Sequence, residues 1–185
     1  MRWHEAKLLD AVRSGDPDAW SALVGHHYRI VYRFLRGMTG ESELAADLTQ
    51  DTFVSAWLHV GGFRGAASIS TWLHRIAINA CRQQMRKKHQ TEAACDSDDL
   101  PQAVGDADDL SAQVTSCDRA EVVRAAVRAL PEDLQMVISL HYGQKMSQWE
   151  VAEALAVPLG TVKRRLGAAL GNLRCALSQS EEAHA

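Results

Sequence analysis

Residues 69–88 hold the pattern that most limits how this chain can fold. Apolar side chains recur there at intervals of three and four residues over three turns, namely Ile69, Trp72, Leu73, Ile76, Ala77 and Ala80. A stripe with this period is typical of an amphipathic α-helix that buries one side. Ser70 or Thr71 is predicted to cap its N-terminus. The stretch therefore predicts a helix that packs one face into a core.

The other side of this predicted helix is polar and basic. It carries His74, Arg75, Asn79, Arg82 and Gln83, followed by Arg86, Lys87 and Lys88 at the C-terminal end. Cations are favoured there by the helix dipole. Amide and guanidinium groups on one exposed face are suited to contacts with nucleic acid. The alternative is a basic face that contacts only solvent.

Helical periodicity continues along the rest of the chain. Asp16-Pro17 is typical of an N-cap followed by a first helical residue, and Gly40 breaks the chain. Helices are predicted over residues 5–14, 17–38, 41–59 and 70–88, then over 118–130, 132–142, 148–155 and from about 159 onward. The first four are expected to form a bundle. We therefore predict an all-α fold of two small helical domains, residues 1–89 and 118–185, joined by a flexible linker, residues 90–117.

The charge distribution supports this division. Residues 1–90 hold twelve Lys and Arg against eight Asp and Glu, whereas residues 91–121 hold one Arg against nine acids. The net charge of −3 therefore reflects one acidic segment and does not argue against DNA binding. That segment has few large apolar residues, so it is not expected to fold alone.

A second basic helix follows a short helix and a turn near the C-terminus. Ser147 and Glu150 have the spacing of a capping box, and residues 156–158 are expected to form a tight turn. The side chains projecting from the next helix are Thr161, Lys163, Arg164 and Arg165. This is the helix-turn-helix layout, in which the second helix enters the major groove. An ordinary helical hairpin is the alternative.

Other features narrow the class of protein. No apolar run is long enough to span a membrane, and the charged N-terminus does not resemble a signal peptide, so a cytoplasmic protein is expected. Four scattered cysteines are expected to be free thiols. No metal-ligand spacing, nucleophile–base pair or nucleotide-binding loop is evident, so we expect no metal, no cofactor and no enzymatic activity.

Two helical domains that each carry a basic helix, joined by a tether, predict a protein that reads two separated DNA elements. At this point the sequence resembles the extracytoplasmic-function (ECF) sigma factors of bacterial RNA polymerase. The resemblance rests on the motifs ALPEDLQMV at residues 129–137, SQWEVAEAL at 147–155 and VPLGTVKRRL at 157–166, and on residues 45–57 and 63–79.

The resemblance implies a partner and a role for each motif. Asp47, Gln50 and Asp51 would bind core RNA polymerase, and an anti-sigma factor would hold the protein inactive. The promoter −10 element would be opened and contacted by Phe63, Arg64, Ser70, Trp72, Arg75, Asn79, Arg82, Arg86, Lys87 and Lys88. The −35 element would be contacted by Ser147, Thr161, Lys163, Arg164 and Arg165.

The chain also departs from the family pattern. Gln148 stands where an aromatic residue is frequent, and Arg164 where serine is common, which leaves the promoter sequence open. The main alternative is a helix-turn-helix regulator that acts without polymerase. Such a regulator would have no use for Asp47, Gln50 and Asp51. A more distant alternative is an enzyme or metal sensor built on the histidines and cysteines.

Overall fold

The computed structural model describes residues 2–63, 65, 67–94 and 114–182, and the described residues form helices joined by turns. The α-helices are α1 (Arg2–Arg13), α2 (Pro17–Thr39), α3 (Ser42–His59), α4 (Ile69–Ala94), α5 (Val114–Arg128), α6 (Glu132–Ile138), α7 (Gln148–Leu155) and α8 (Leu159–Glu182). A 3-10 turn follows α3 (Val60–Gly62) and a π turn follows α6 (Ser139–Gly143). The predicted all-α fold is confirmed.

The chain divides into two compact units. The first contains α1 to α4, and the second contains α5, α6, α8 and the N-terminal part of α7. The helices extend further into the expected linker than the sequence indicated, because α4 ends at Ala94 and α5 begins at Val114. The remaining linker residues, 95–113, lie outside the described residues. No helix in the described part of the chain is both long and apolar enough to cross a membrane.

The ends of α2 follow local signals. The Asp16 carboxylate accepts hydrogen bonds from the backbone N–H groups of Asp18 (2.9 Å) and Ala19 (3.3 Å), and Pro17 occupies the first helical position. Pro17 has no backbone N–H, but this costs no hydrogen bond because the N–H groups in the first turn of a helix have no acceptor within the helix. Gly40 ends the helix in the left-handed conformation, with φ of 77°, a region that favours glycine. Both predicted boundaries are confirmed within one residue.

The core of the first unit lies among α2, α3 and α4. Its fully buried large side chains include Leu23, Phe34, Leu35, Leu73 and Ile78. On α3, buried Thr49 and Thr52 donate their hydroxyls to the carbonyl oxygens of Ala45 (2.6 Å) and Leu48 (2.7 Å). Each buried hydroxyl is thereby satisfied within its own helix, so α3 can pack without an uncompensated polar group.

The start and the facing of α4 differ from the sequence prediction. The helix is capped by Ser68, whose Oγ accepts the backbone N–H of Thr71 at 3.0 Å, and Ser70 is the second helical residue. The buried face includes Leu73, His74 and Ala77, so His74 lies in the core and not on the basic face as predicted. An apolar stripe two residues wide predicts which side of a helix is buried only to within about one residue position. Packing against the neighbouring helices then decides which residues at the edge of the stripe are buried.

Two histidines are buried in this unit. His74 is 1% exposed, and its Nδ1 donates to the Ser70 carbonyl oxygen at 2.7 Å. Its Nε2 is buried and has no hydrogen-bond partner among the described residues. Burial lowers the pKa of His74. Burial, reinforced by the neighbouring imidazoles of His26 and His74, lowers the pKa of His27 from 6.5 to about 4. Both imidazoles are therefore neutral at pH 7.

The second unit packs α6 against α8 around a small apolar core. That core includes Met136, Val137, Leu140, Val151, Val162, Leu166 and Ala169. The predicted helix over residues 132–142 changes to a π turn at Ser139. His141 in this turn is partly exposed, and its Nδ1 lies 2.7 Å from the Met146 carbonyl oxygen. This contact lies in the connection between α6 and the helix-turn-helix.

Candidate binding surfaces

The acidic surface of α3 is exposed as predicted from the sequence. The side chains of Asp47, Gln50 and Asp51 all face solvent, and Val54 on the same side is 60% exposed. Residues three and four apart on a helix lie on one face, so these four make one continuous strip. The acidic strip therefore ends at Val54, an exposed apolar residue that also lines the groove described next.

An apolar groove of about 530 Å³ adjoins this strip between α2 and α3. It is lined by Trp20, Val24, Tyr28, Gln50, Phe53, Val54, Trp57 and Leu58. The ring centroid of Trp20 lies 5.0 Å from that of Trp57 and 6.3 Å from that of Phe53. Trp57 is 42% exposed and forms part of the groove wall. Gln50 belongs to both the strip and the groove.

The basic face of α4 is the second predicted surface. Arg75, Asn79, Arg86 and Lys87 are exposed, and Arg82 is half-buried. Residues 75, 79 and 86 fall on one side of the helix, opposite the buried face that contains Ala77 and Cys81. The side chain of Lys88 lies outside the described residues. The structure thus brings an amide and several cations together on one helical surface, which is an arrangement that can bind nucleic acid.

The loop before α4 is held at its start by an aromatic pair. The ring of Phe63 stacks on that of Trp72, with centroids 4.8 Å apart and planes at 29°. Phe63 is 7% exposed whereas Trp72 is partly exposed, so Trp72 rather than Phe63 can reach a base from solvent. Ser70 is half-buried, with its Oγ 3.5 Å from His74 Nδ1. Arg64 lies outside the described residues.

Sequence reasoning missed Arg13 as a contributor to this region. Its guanidinium donates to the main-chain carbonyl oxygen of Phe63, and it also bonds the Asp10 carboxylate at 3.1 Å. The pairing with Asp10 follows from their spacing on α1, but the contact with a residue fifty positions away has no sequence signal. Helix α1 therefore helps hold the beginning of the loop.

The helix-turn-helix forms as predicted. Ser147 Oγ accepts the backbone N–H of Glu150 at 3.3 Å, and Glu150 Oε2 accepts the backbone N–H of Ser147 at 2.8 Å, which is the reciprocal pattern of a capping box. The Ser147 hydroxyl donates to the same Glu150 oxygen at 2.7 Å. In the turn, Ala156 takes a φ of 54°, and the N–H of Val157 bonds the carbonyl oxygen of Ala152.

The four polar residues at the start of α8 differ in their exposure to solvent. Lys163 and Arg164 are exposed, and Thr161 is partly exposed. Arg165 points towards α6, where its guanidinium pairs with the Asp133 carboxylate. Only 20% of the Arg165 side chain is exposed, and its Nη1 is buried without a hydrogen-bond partner among the described residues. The structure therefore separates Arg165 from the three residues with which it was predicted to act.

The described residues contain no group of three His, Cys, Asp or Glu side chains placed to hold a metal ion. Cys81 is buried and Cys175 is exposed, and neither forms a disulfide. The side chains of Cys95 and Cys117 lie outside the described residues. The buried thiol of Cys81 packs in the core of the first unit. The candidate surfaces are built from exposed charges, the amides of Gln50 and Asn79 and an apolar groove.

Comparison with known proteins identifies the family to which this chain belongs. The family model described as Sigma-70 region 2 matches residues 23–91, and that described as Sigma-70, region 4 matches residues 126–174. The ECF RNA polymerase sigma factor SigM of Mycobacterium tuberculosis (strain ATCC 25618 / H37Rv) is 35% identical over 169 residues, covering 91% of this chain and 82% of SigM. The corresponding factor SigW of Bacillus subtilis (strain 168) is 29% identical, covering 86% of this chain and 89% of SigW.

Solved structures share the fold. CnrH, in complex with the cytosolic domain of CnrY, matches with a TM-score of 0.71 and 24% identity, covering 95% of this chain and 97% of CnrH. The sigma factor RpoE of Bartonella quintana, in complex with the anti-sigma factor NepR, matches with a TM-score of 0.71 and 23% identity, covering 85% and 96%. Since the two family models match one stretch in each unit and SigM aligns along most of the chain, the protein belongs to the ECF family of RNA polymerase sigma factors.

Proposed function

We propose that this chain holds core RNA polymerase with the exposed strip of α3 and reads two promoter elements with α4 and α8. Sigma factors are transcription initiation factors and not enzymes, and this chain serves the same role of directing initiation at chosen promoters. The observation that carries the proposal is the strip of Asp47, Gln50 and Asp51, exposed together on one helix within the region 2 match. A regulator that acts without polymerase would have no use for it.

The strip suits a basic partner surface. Two carboxylates one turn apart attract a complementary cationic helix pair during encounter, and the intervening amide can donate and accept hydrogen bonds. The neighbouring Val54 adds apolar contact at one end. We assign this surface to the polymerase clamp, and residues 1–89 to the domain that carries both it and the −10 contacts.

The basic face of α4 is assigned to the −10 element. Initiation requires melted DNA, and a base that leaves the stack offers its hydrogen-bonding edge to an amide. Asn79 supplies that amide, Trp72 supplies a ring surface for stacking, and Arg75 and Arg86 are placed to hold the phosphates on either side. The same surface includes Arg82, Lys87 and Ser70. The Phe63 ring stacks on the Trp72 ring and supports it.

The start of α8 is assigned to the −35 element, read as duplex DNA. Thr161, Lys163 and Arg164 lie in the first turns of the second helix of a helix-turn-helix, the part that enters a major groove. We assign Ser147, at the N-terminus of α7, to a position near the DNA phosphates. Its hydroxyl already donates to the Glu150 carboxylate. Residues 118–185 form this domain, and residues 90–117 connect it to the first.

An anti-sigma factor is the regulator that we propose. RpoE of Bartonella quintana, which shares this fold, was solved with the anti-sigma factor NepR. In this chain, the aromatic groove between α2 and α3 can accept apolar side chains from a partner helix. Because Gln50 lines the groove and belongs to the strip, an occupant there would compete with polymerase. Acting with polymerase also implies a cytoplasmic location.

Run-off transcription tests the main proposal. Purified core polymerase would be mixed with this chain and a pool of promoter fragments from its own genome. Transcripts that disappear when the chain is omitted, and whose upstream sequences align at two elements, are the expected result. Failure to bind core polymerase would favour a stand-alone regulator. As a test of the groove, Leu58→Asp is expected to raise transcription in cells and leave purified transcription unchanged, whereas a parallel fall in both would assign the groove to polymerase.

A further inference from the structure

One of the basic residues at the start of α8 contacts another helix of the same unit. Arg165 on α8 pairs with Asp133 on α6, thirty-two residues earlier in the chain. The Arg165 side chain is the more buried of the two, since it is 20% exposed and the Asp133 side chain is 53% exposed. An ion pair that fixes one helix on another can determine the angle at which neighbouring side chains leave the surface.

Helix geometry explains why Arg165 differs from its neighbours. Successive residues of an α-helix point about 100° apart. Val162 and Ala169, three residues before and four residues after Arg165, are fully buried, so Arg165 lies beside the core-facing side of α8. Arg164, one position earlier, points to the exposed side instead. The register of the helix, and not a chance rotamer, directs Arg165 towards α6.

The environment of the guanidinium is also unlike that of a phosphate-binding group. Its Nη1 is buried and lacks a hydrogen-bond partner among the described residues, and Nη2 is bonded to Asp133. A cation in this state is already desolvated and partly neutralised by a carboxylate. Removing one member of such a pair leaves the other uncompensated, which is more costly than losing an exposed pair.

We propose that Arg165 is a positioning residue: through Asp133 it holds α8 on α6 and thereby aims Lys163 and Arg164 at the −35 element, without contacting a phosphate itself. This inference rests on the proposed reading of a −35 element by α8. It revises the role that the family resemblance implied for Arg165. Asp133 becomes a residue that supports DNA binding although its charge repels DNA.

The sign of the Asp133 effect provides a sharp test. If Asp133 acted only through its charge, replacing it with the isosteric amide would strengthen DNA binding by removing a repulsion. If it holds Arg165, Asp133→Asn should weaken −35 binding by about three- to tenfold, in keeping with the loss of a hydrogen-bonded ion pair. Asp133→Glu keeps the charge and should bind close to wild type. Glu153→Gln removes an exposed acid from α7 as the matched control.

The salt dependence of binding separates positioning from phosphate contact. Each phosphate contact contributes about 0.9 to the slope of log affinity against log salt. The holoenzyme would be assayed on a promoter fragment found by run-off transcription, with the −35 element intact or scrambled, well below each variant's unfolding temperature. Lys163→Ala should reduce the slope by about one. Arg165→Met should weaken binding with the slope unchanged, and Arg165→Lys should recover part of the affinity.

Each outcome decides between defined alternatives. A reduced slope for Arg165→Met, equal to that of Lys163→Ala, would show that Arg165 contacts a phosphate and overturn the inference. Tighter binding by Asp133→Asn would overturn it as well, and so would unchanged affinity in both variants. If the wild-type holoenzyme does not distinguish intact from scrambled −35 DNA, the proposed function of α8 fails instead. Circular dichroism and the unfolding temperature verify that the second unit of each variant is folded, and core polymerase binding is expected to be unchanged in every variant.

Discussion

The guanidinium of Arg13, in the last turn of α1, donates a hydrogen bond to the main-chain carbonyl oxygen of Phe63. Helix α1 lies outside the region 2 match, which begins at residue 23. Its buried residues Leu9 and Val12 nevertheless anchor it to the first unit, and Arg13 connects it to the start of the loop before α4. The Phe63 ring then supports Trp72.

Replacing Arg13 with alanine should therefore loosen the loop more than the bundle. A hydrogen bond to a charged donor contributes roughly 1.5–3 kcal/mol, and partial exposure of Arg13 places the expected loss of unfolding free energy below that range, at about 1 kcal/mol. Stable open promoter complexes should fall several-fold, while core polymerase binding stays the same. Urea unfolding measures the loss of stability, and the fraction of heparin-resistant complexes measures the loss of open promoter complexes.

The control for Arg13→Ala is Lys7→Ala, which removes an exposed cation from α1. Equal loss from both variants would contradict a specific role for Arg13.

Reversing the charge of Asp47 should weaken core polymerase binding. Asp47→Arg replaces attraction with repulsion at the N-terminal end of the exposed strip, and we expect the dissociation constant to rise by about tenfold or more. Titration of labelled core polymerase measures it. Glu153→Arg makes the same change in net charge on α7 and should have little effect. An Asp47→Arg protein that binds core polymerase normally would remove the strip from the proposed interface.

Removing the amide of Asn79 should affect promoter opening more than polymerase binding. The reason is that the proposed contact exists only after a base has left the duplex. Asn79→Ala should reduce permanganate reactivity of −10 thymines several-fold at saturating holoenzyme. Asn172→Ala deletes an exposed amide from α8 far along the helix and is the matched control. Parallel losses in core binding and in opening would point instead to damage to α4.

Stability should fall as the pH drops from about 6.5 towards 4. Because the pKa of His27 is near 4 in the folded state and about 6.5 when unfolded, the unfolded chain binds more protons across this window. Unfolding free energy should then decline by up to about 1.4 kcal/mol per pH unit for this one group. His27→Gln, which cannot titrate, should flatten the dependence measured by urea unfolding at pH 7, 6 and 5. His59→Gln, at an exposed histidine, should not. An unchanged slope in His27→Gln would assign the dependence to other groups.

Several features of this protein follow from local sequence. Asp16, Pro17 and Gly40 determine where α2 begins and ends, because a cap, a missing N–H and a left-handed residue each act within a few positions. The capping box of Ser147 and Glu150 has the same local origin. The strip of Asp47, Gln50 and Asp51 was also predicted correctly as exposed, since spacing along one helix places its residues on one face.

Tertiary packing determined the buried side of α4 and the partner of Arg165, because both depend on contacts between separate helices. Periodicity left the facing of α4 open by about one residue, and the core of α2 and α3 selected the alternative that buries His74. In the sequence Arg165 is one more basic residue of α8, and only the packing of α8 against α6 brings its guanidinium to the Asp133 carboxylate. The physical reason is that caps and periodicity act within a helix, whereas burial and long-range ion pairs exist only once separate helices have packed together.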